Sequence, residues 1–129
     1  MASYYYSRIL DLPLEQAESR VREELQREGF GVLTEINVRE TLKKKLDVDF
    51  RPYKILGACN PSLAHKALLA EDKIGTMLPC NVVVQEVDGS RTEVAAIDPV
   101  ASMQAVGNAS LTEIAGDVRL RLRRVVDSL

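Results

Sequence analysis
Tryptophan is absent from the 129 residues, histidine occurs once, cysteine twice, and aromatic residues make up only 5% of the chain. A single histidine, His65, leaves little room for triad chemistry, and two cysteines, Cys59 and Cys80, do not make a disulfide scaffold in a chain of this size. An excess of charge of either sign is missing as well. The 17 Lys and Arg oppose 19 Asp and Glu for a net charge of −2, which provides no electrostatic footprint for a nucleic-acid backbone or an anionic membrane. No apolar run approaches the roughly 20 residues of a membrane span, and the leading MASYYYSRILDL has no basic segment followed by an apolar one. Walker, G-x-G-x-x-G, G-x-S-x-G and H-E-x-x-H patterns are missing, so no motif specifies a cofactor or a reaction. The expectation is a cytoplasmic protein with reduced thiols and with neither a nucleic-acid nor a membrane partner.

What is present is ordinary globular composition, 46% hydrophobic and 28% charged, in a chain the length of one domain, residues 1–129. Abundant Arg, Glu and Leu with scarce Asn and Gln fit a heat-adapted source. Residues 3–10 read as a strand. Pro13 then opens a helix whose Leu14, Ala17, Val21 and Leu25 share one side, and Gly29 ends it as a left-handed cap would. Alternation from Val32 to Val38 predicts a second strand with Val32, Thr34 and Ile36 on one face. Residues 39–49 read as a short helix or an extended hairpin, with Lys43, Lys44 and Lys45 on a solvated edge. A third strand covers 53–58, and Asn60-Pro61 caps a helix running to about Lys73. Residues 81–87 and 91–97 form a hairpin turning at Asp88-Gly89. A small-residue connection over 100–108 leads to a capping box, Ser110-Leu111-Thr112-Glu113, and a last helix striped by Leu111, Ile114, Val118, Leu122 and Val125. The order β-α-β-β-α-β-β-α predicts a two-layer α+β fold: an antiparallel sheet of about five strands with helices on one face. Val82-Val83-Val84 and Val94-Ala95-Ala96-Ile97 are apolar on both strand faces, so the side away from the helices is expected to be covered by a homodimer partner.

The reactive side chains concentrate between Ile55 and Val84. If the strand ending at Cys59 pairs antiparallel with the strand starting at Cys80, the two cysteines become neighbours. The hairpin then returns Asp98 to the same edge, so Cys59, Asn60, Cys80, Asn81 and Asp98 form a candidate site for a small-molecule ligand. Each residue also has a plainer use: the cysteines as small apolar fillers, Asn60 as a helix cap, Asn81 and Asp98 as turn residues, His65 as a surface group. Two chemical alternatives stay open. A Cys59 thiolate favoured by a helix N-terminus, resolved by Cys80, would serve thiol redox chemistry. Cys59 and Cys80 with His65 and Asp98 would serve a metal ion such as zinc, although C-x-x-C spacing is missing.

The motifs Leu56-Gly57-Ala58-Cys59-Asn60-Pro61 and Leu78-Pro79-Cys80-Asn81-Val82 resemble the core of the family known as domain of unknown function 302. The resemblance extends to Leu12-Pro13, Gly29-Phe30-Gly31, Leu42-Lys43-Lys44-Lys45 and Asp98-Pro99, nearly the whole chain. It implies a fold similar to the TATA-binding-protein-like architecture, with an inserted helix and often dimeric. It implies no reaction, and similarity of fold does not import DNA binding.

Overall fold
The computed structural model describes residues 3–129, in which five strands form one antiparallel sheet in the order β1-β5-β4-β3-β2. The strands are β1 (Tyr5–Leu10), β2 (Gly31–Asn37), β3 (Tyr53–Cys59), β4 (Cys80–Asp88) and β5 (Arg91–Ile97). The helices are α1 (Leu14–Arg27), α2 (Val38–Leu46), α3 (Pro61–Ala70), the single turn α4 (Pro99–Ser102) and α5 (Ala109–Asp127). The expected α+β fold with helices packed on one face of the sheet is the fold observed.

The main core lies between that sheet face and α1 and α5. Alternation sends Leu56 and Ala58 of β3, Cys80, Val82 and Val84 of β4, and Val94 and Ala96 of β5 toward the helices. Ala17, Val21 and Leu25 of α1 meet them from above, together with Val118, Leu122, Val125 and Val126 of α5. Removing this much apolar surface from water is the main force holding the two layers together. A smaller cluster of Ala67, Ile74 and Leu111 joins α3, a 3-10 turn at Asp72–Met77 and the start of α5.

Helix α1 ends as the glycine pattern requires. Gly29 has φ +85°, its N–H donates to the Gln26 carbonyl at 3.0 Å, and the Phe30 N–H donates to the Leu25 carbonyl at 2.9 Å. These two bonds and the buried Leu25 and Phe30 side chains constitute a Schellman stop. At the opposite edge of the sheet core, Lys54 of β3 lies 2.9 Å from Glu18 and 2.8 Å from Glu35, tying α1, β2 and β3 together. The hydrogen bond from Lys54 holds the Glu35 carboxyl below its ordinary range and, with that to Glu18, raises the Lys54 ammonium.

Several expectations are corrected. In β2 the register shifts between Val32 and Thr34, so Leu33 is the extra residue of a bulge. Val32 therefore pairs with Ala58 on the helix side, while Thr34 and Ile36, paired with Gly57 and Ile55, face the open side rather than sharing Val32's face. Of the two alternatives for residues 39–49 the short helix is the one formed: the Asn37 side chain accepts from the Glu40 N–H at 3.1 Å and starts α2 at Val38. Helix α3 stops at Ala70, short of Lys73, because the chain turns extended at Glu71. The capping box at Ser110 is not used. Asn108 caps α5 by accepting from the Ser110 N–H at 3.0 Å, so the helix begins at Ala109 and Ala115 takes a place on its buried stripe. The hairpin loop is Gly89-Ser90, one residue later than expected, with Asp88 paired to Arg91 as the last strand position.

Candidate functional site
The β3–β4 register pairs Ala58 with Cys80, which sets Cys59 one residue beyond that pair at the end of β3. The β4–β5 register pairs Val82 with Ala96, so the end of β5 at Ile97, followed directly by Asp98, lies at the Cys80 end of β4. Strand ends and helix starts thus meet at one edge, as the two Cys-Asn motifs anticipate.

The side chains there serve different purposes. Asn60 is the N-cap of α3: its Oδ1 accepts the Leu63 N–H at 3.2 Å, and its Nδ2 donates to the Glu28 carbonyl at 3.4 Å. The same Glu28 carbonyl accepts from Arg121 Nη1 at 3.1 Å, and the Glu28 carboxylate receives Arg124 through Nε and Nη2 at 3.1 and 2.9 Å. Asn60 therefore joins the end of α1 to the start of α3, with α5 holding the same point. Asp98 is buried and caps α4, accepting from the Val100 N–H at 3.0 Å, while Arg119 Nε lies 3.4 Å from its other oxygen. That ion pair lacks hydrogen-bond alignment, since Arg119 Nε has no hydrogen-bond partner.

Cys80 is buried on the helix side, and both cysteines are free thiols. Burial, reinforced by the neighbouring Cys59, pushes the Cys80 thiol up to about 11. Cys59 is half-buried. Asn81 is exposed on the open face, so the pleat separates it from its neighbour Cys80. His65 is an exposed residue of α3 and does not line the cavity between the cysteines. Among the described residues no three His, Cys, Asp or Glu side chains are grouped to hold a metal ion.

What Cys59, Asn60 and Cys80 do share is a cavity of about 30 Å³ beneath the sheet edge. Its other walls are Phe30, Leu63, Ala64 and Ala67, the Leu78-Pro79 corner, Pro99 and Met103, and Ile114, Ala115 and Val118 of α5. None is charged. Sequence reasoning found the strand ends that contribute to this cavity but not the α5 wall, whose only signal was the apolar stripe of that helix. Among the expected site residues, Asn81 and Asp98 lie outside the cavity wall.

The family model described as domain of unknown function DUF302 matches residues 6–129. Among solved structures, the chain is similar to the crystal structure of an uncharacterized conserved DUF302 protein from Bacillus stearothermophilus. Their identity is 32%, with a TM-score of 0.90 and 98% of each chain covered. No curated protein matches the sequence.

Proposed function
We propose that this chain, which belongs to the DUF302 family, is a small binding module that takes up a neutral apolar molecule at the Cys59/Cys80 edge of its sheet. The observation that carries this reading is the uncharged, apolar cavity on which two strand ends, two helices and both thiols converge. Cys80 reports on it directly. A panel of small neutral molecules, such as toluene, cyclohexanol and 1-butanol, is expected to include members that slow modification of Cys80 by N-ethylmaleimide and raise Tm. A panel that leaves both quantities unchanged overturns the reading.

Thiol redox or metal chemistry is the weaker use of Cys80. A thiol whose pKa is raised to about 11 by burial stays protonated at neutral pH, and the protonated form is neither the nucleophile nor the metal ligand.

A second reading, association into a homodimer, rests on a separate observation. The sheet face away from α1 and α5 presents Ile36, Ile55, Val83, Ile97 and Ile9 together with Tyr5 and Tyr53. Ile9 and Ile36 are each about half exposed, at 51% and 48%. At one end of this face Arg51 donates to Gln85 at 2.9 Å and Gln85 donates to Glu93 at 3.0 Å, while Ser7, Thr34 and Asn81 add polar groups elsewhere on it. A two-fold pairing would set this face against itself and remove those isoleucines from water.

A further inference from the structure
The cavity beside Cys59 and Cys80, at about 30 Å³, is far smaller than the several hundred Å³ of an ordinary ligand pocket. Two larger clefts adjoin it. One, of about 260 Å³, runs past Thr76, Asn81 and Ser102 and shares Leu78, Pro79, Cys80 and Pro99 with the cavity. The other, of about 430 Å³, runs past Gln104, Asn108 and Thr112 and shares Ala115. Met103 is the one residue that lines all three. Displacement of its side chain would therefore join the small cavity to both clefts.

Resting on the proposed binding at the cysteine edge, we infer that Met103 is a gate, and that its displacement admits a neutral aliphatic chain bearing one hydrogen-bonding head group. Three observations support this. Methionine has three rotatable bonds and an unbranched thioether, so it can swing aside without a backbone clash. It sits in a stretch of short elements: α4 is a single turn, a three-residue 3-10 turn follows at Gln104–Val106, and Gly107 takes the left-handed φ of +67°. Finally, the walls select for the absence of charge. Although 28% of the chain is Asp, Glu, Lys or Arg, none of these residues lines the cavity or either cleft. The aliphatic body would follow the cavity wall, and the head group would meet Thr76, Asn81 and Ser102 in the cleft that shares more of the cavity's wall. A carboxylate would find no cation there to offset its desolvation.

The test uses the intact protein, 1-octanol and octanoate. Titration of 1-octanol is expected to shift the Met103 methyl resonance and to slow N-ethylmaleimide modification of Cys80, and octanoate is expected to bind about tenfold more weakly or worse. Met103→Ala is expected to speed Cys80 modification several-fold without ligand, and Met103→Phe to slow octanol binding. The methyl titration needs no variant, so a misfolded substitution cannot mask the result. Octanol protection of Cys80 with an unmoved Met103 methyl and equal rates in both variants overturns the gate while leaving binding at the cysteine edge intact. Equal binding of octanoate overturns the neutral-ligand assignment. If octanol neither protects Cys80 nor moves the methyl, gate and site fall together.

Discussion
At the level of single residues, the most constrained position near the site is Gly57. A Cβ added there would run into the Thr34 hydroxyl and lie 2.7 Å from Pro79 Cγ, so two side chains close over this point of β3. Gly57→Ala is expected to destabilise the protein by about 1–3 kcal/mol, the usual range for forced overpacking. The thermal midpoint in the Thr34→Ala background should recover part of that loss, because only the Pro79 contact and the 3.4 Å approach to the residue-34 Cβ then remain. A full loss in the double variant would show that Thr34 is not the obstacle. The sequence placed Gly57 inside the first Cys-Asn motif, but its reason is a contact with β2 created by the bulge at Leu33. A register shift has no local sequence signal, since Val32 to Asn37 alternate well enough to read as an unbroken strand.

For whole elements, the legible features were those with strong local rules. The proline at the start of α3, the asparagine before it and the glycine after α1 do what their backbone chemistry dictates. The misread ones were competitions between adjacent candidates. Asn108 took the cap that Ser110-x-x-Glu113 advertised, and Gly89-Ser90 took the turn offered by Asp88-Gly89. In the hairpin the outcome has an electrostatic signature. The Asp88 carboxylate accepts the Ser90 N–H at 3.0 Å and Arg91 Nε at 2.8 Å, and these bonds lower its pKa from 3.8 to about 2. Because the folded value is the depressed one, this contribution to the hairpin is fully present above the ordinary value of 3.8 and disappears as pH falls through about 2. A carboxyl titration followed by NMR is expected to find the Asp88 midpoint near 2, and Arg91→Ala should move it upward. An Asp88 midpoint near 3.8 in the native protein would contradict the arrangement.

Taken as a whole, the molecule is a sheet with one face packed and one face bare, and its assembly state follows from what becomes of the bare one. The double-sided apolar strands made this asymmetry readable before any coordinates: Val82 and Val84 went to the core and Val83 to the other side. Light scattering after size exclusion at micromolar concentration is expected to give twice the mass of the 14.3 kDa chain. Ile55→Glu, a charge in the middle of the bare face, should halve that mass while leaving the far-ultraviolet circular dichroism unchanged. A wild-type monomer at that concentration would remove the homodimer reading without touching the binding site on the packed face. The strand order carries one more consequence. The first two strands made, β1 and β2, occupy opposite edges, and β1 completes its ladder only against β5, with Tyr5 across from Ile97. During vectorial synthesis β1 must therefore wait, unpaired, until β5 has been made and almost the entire sheet exists, which makes this edge strand the clasp of the fold and not its seed.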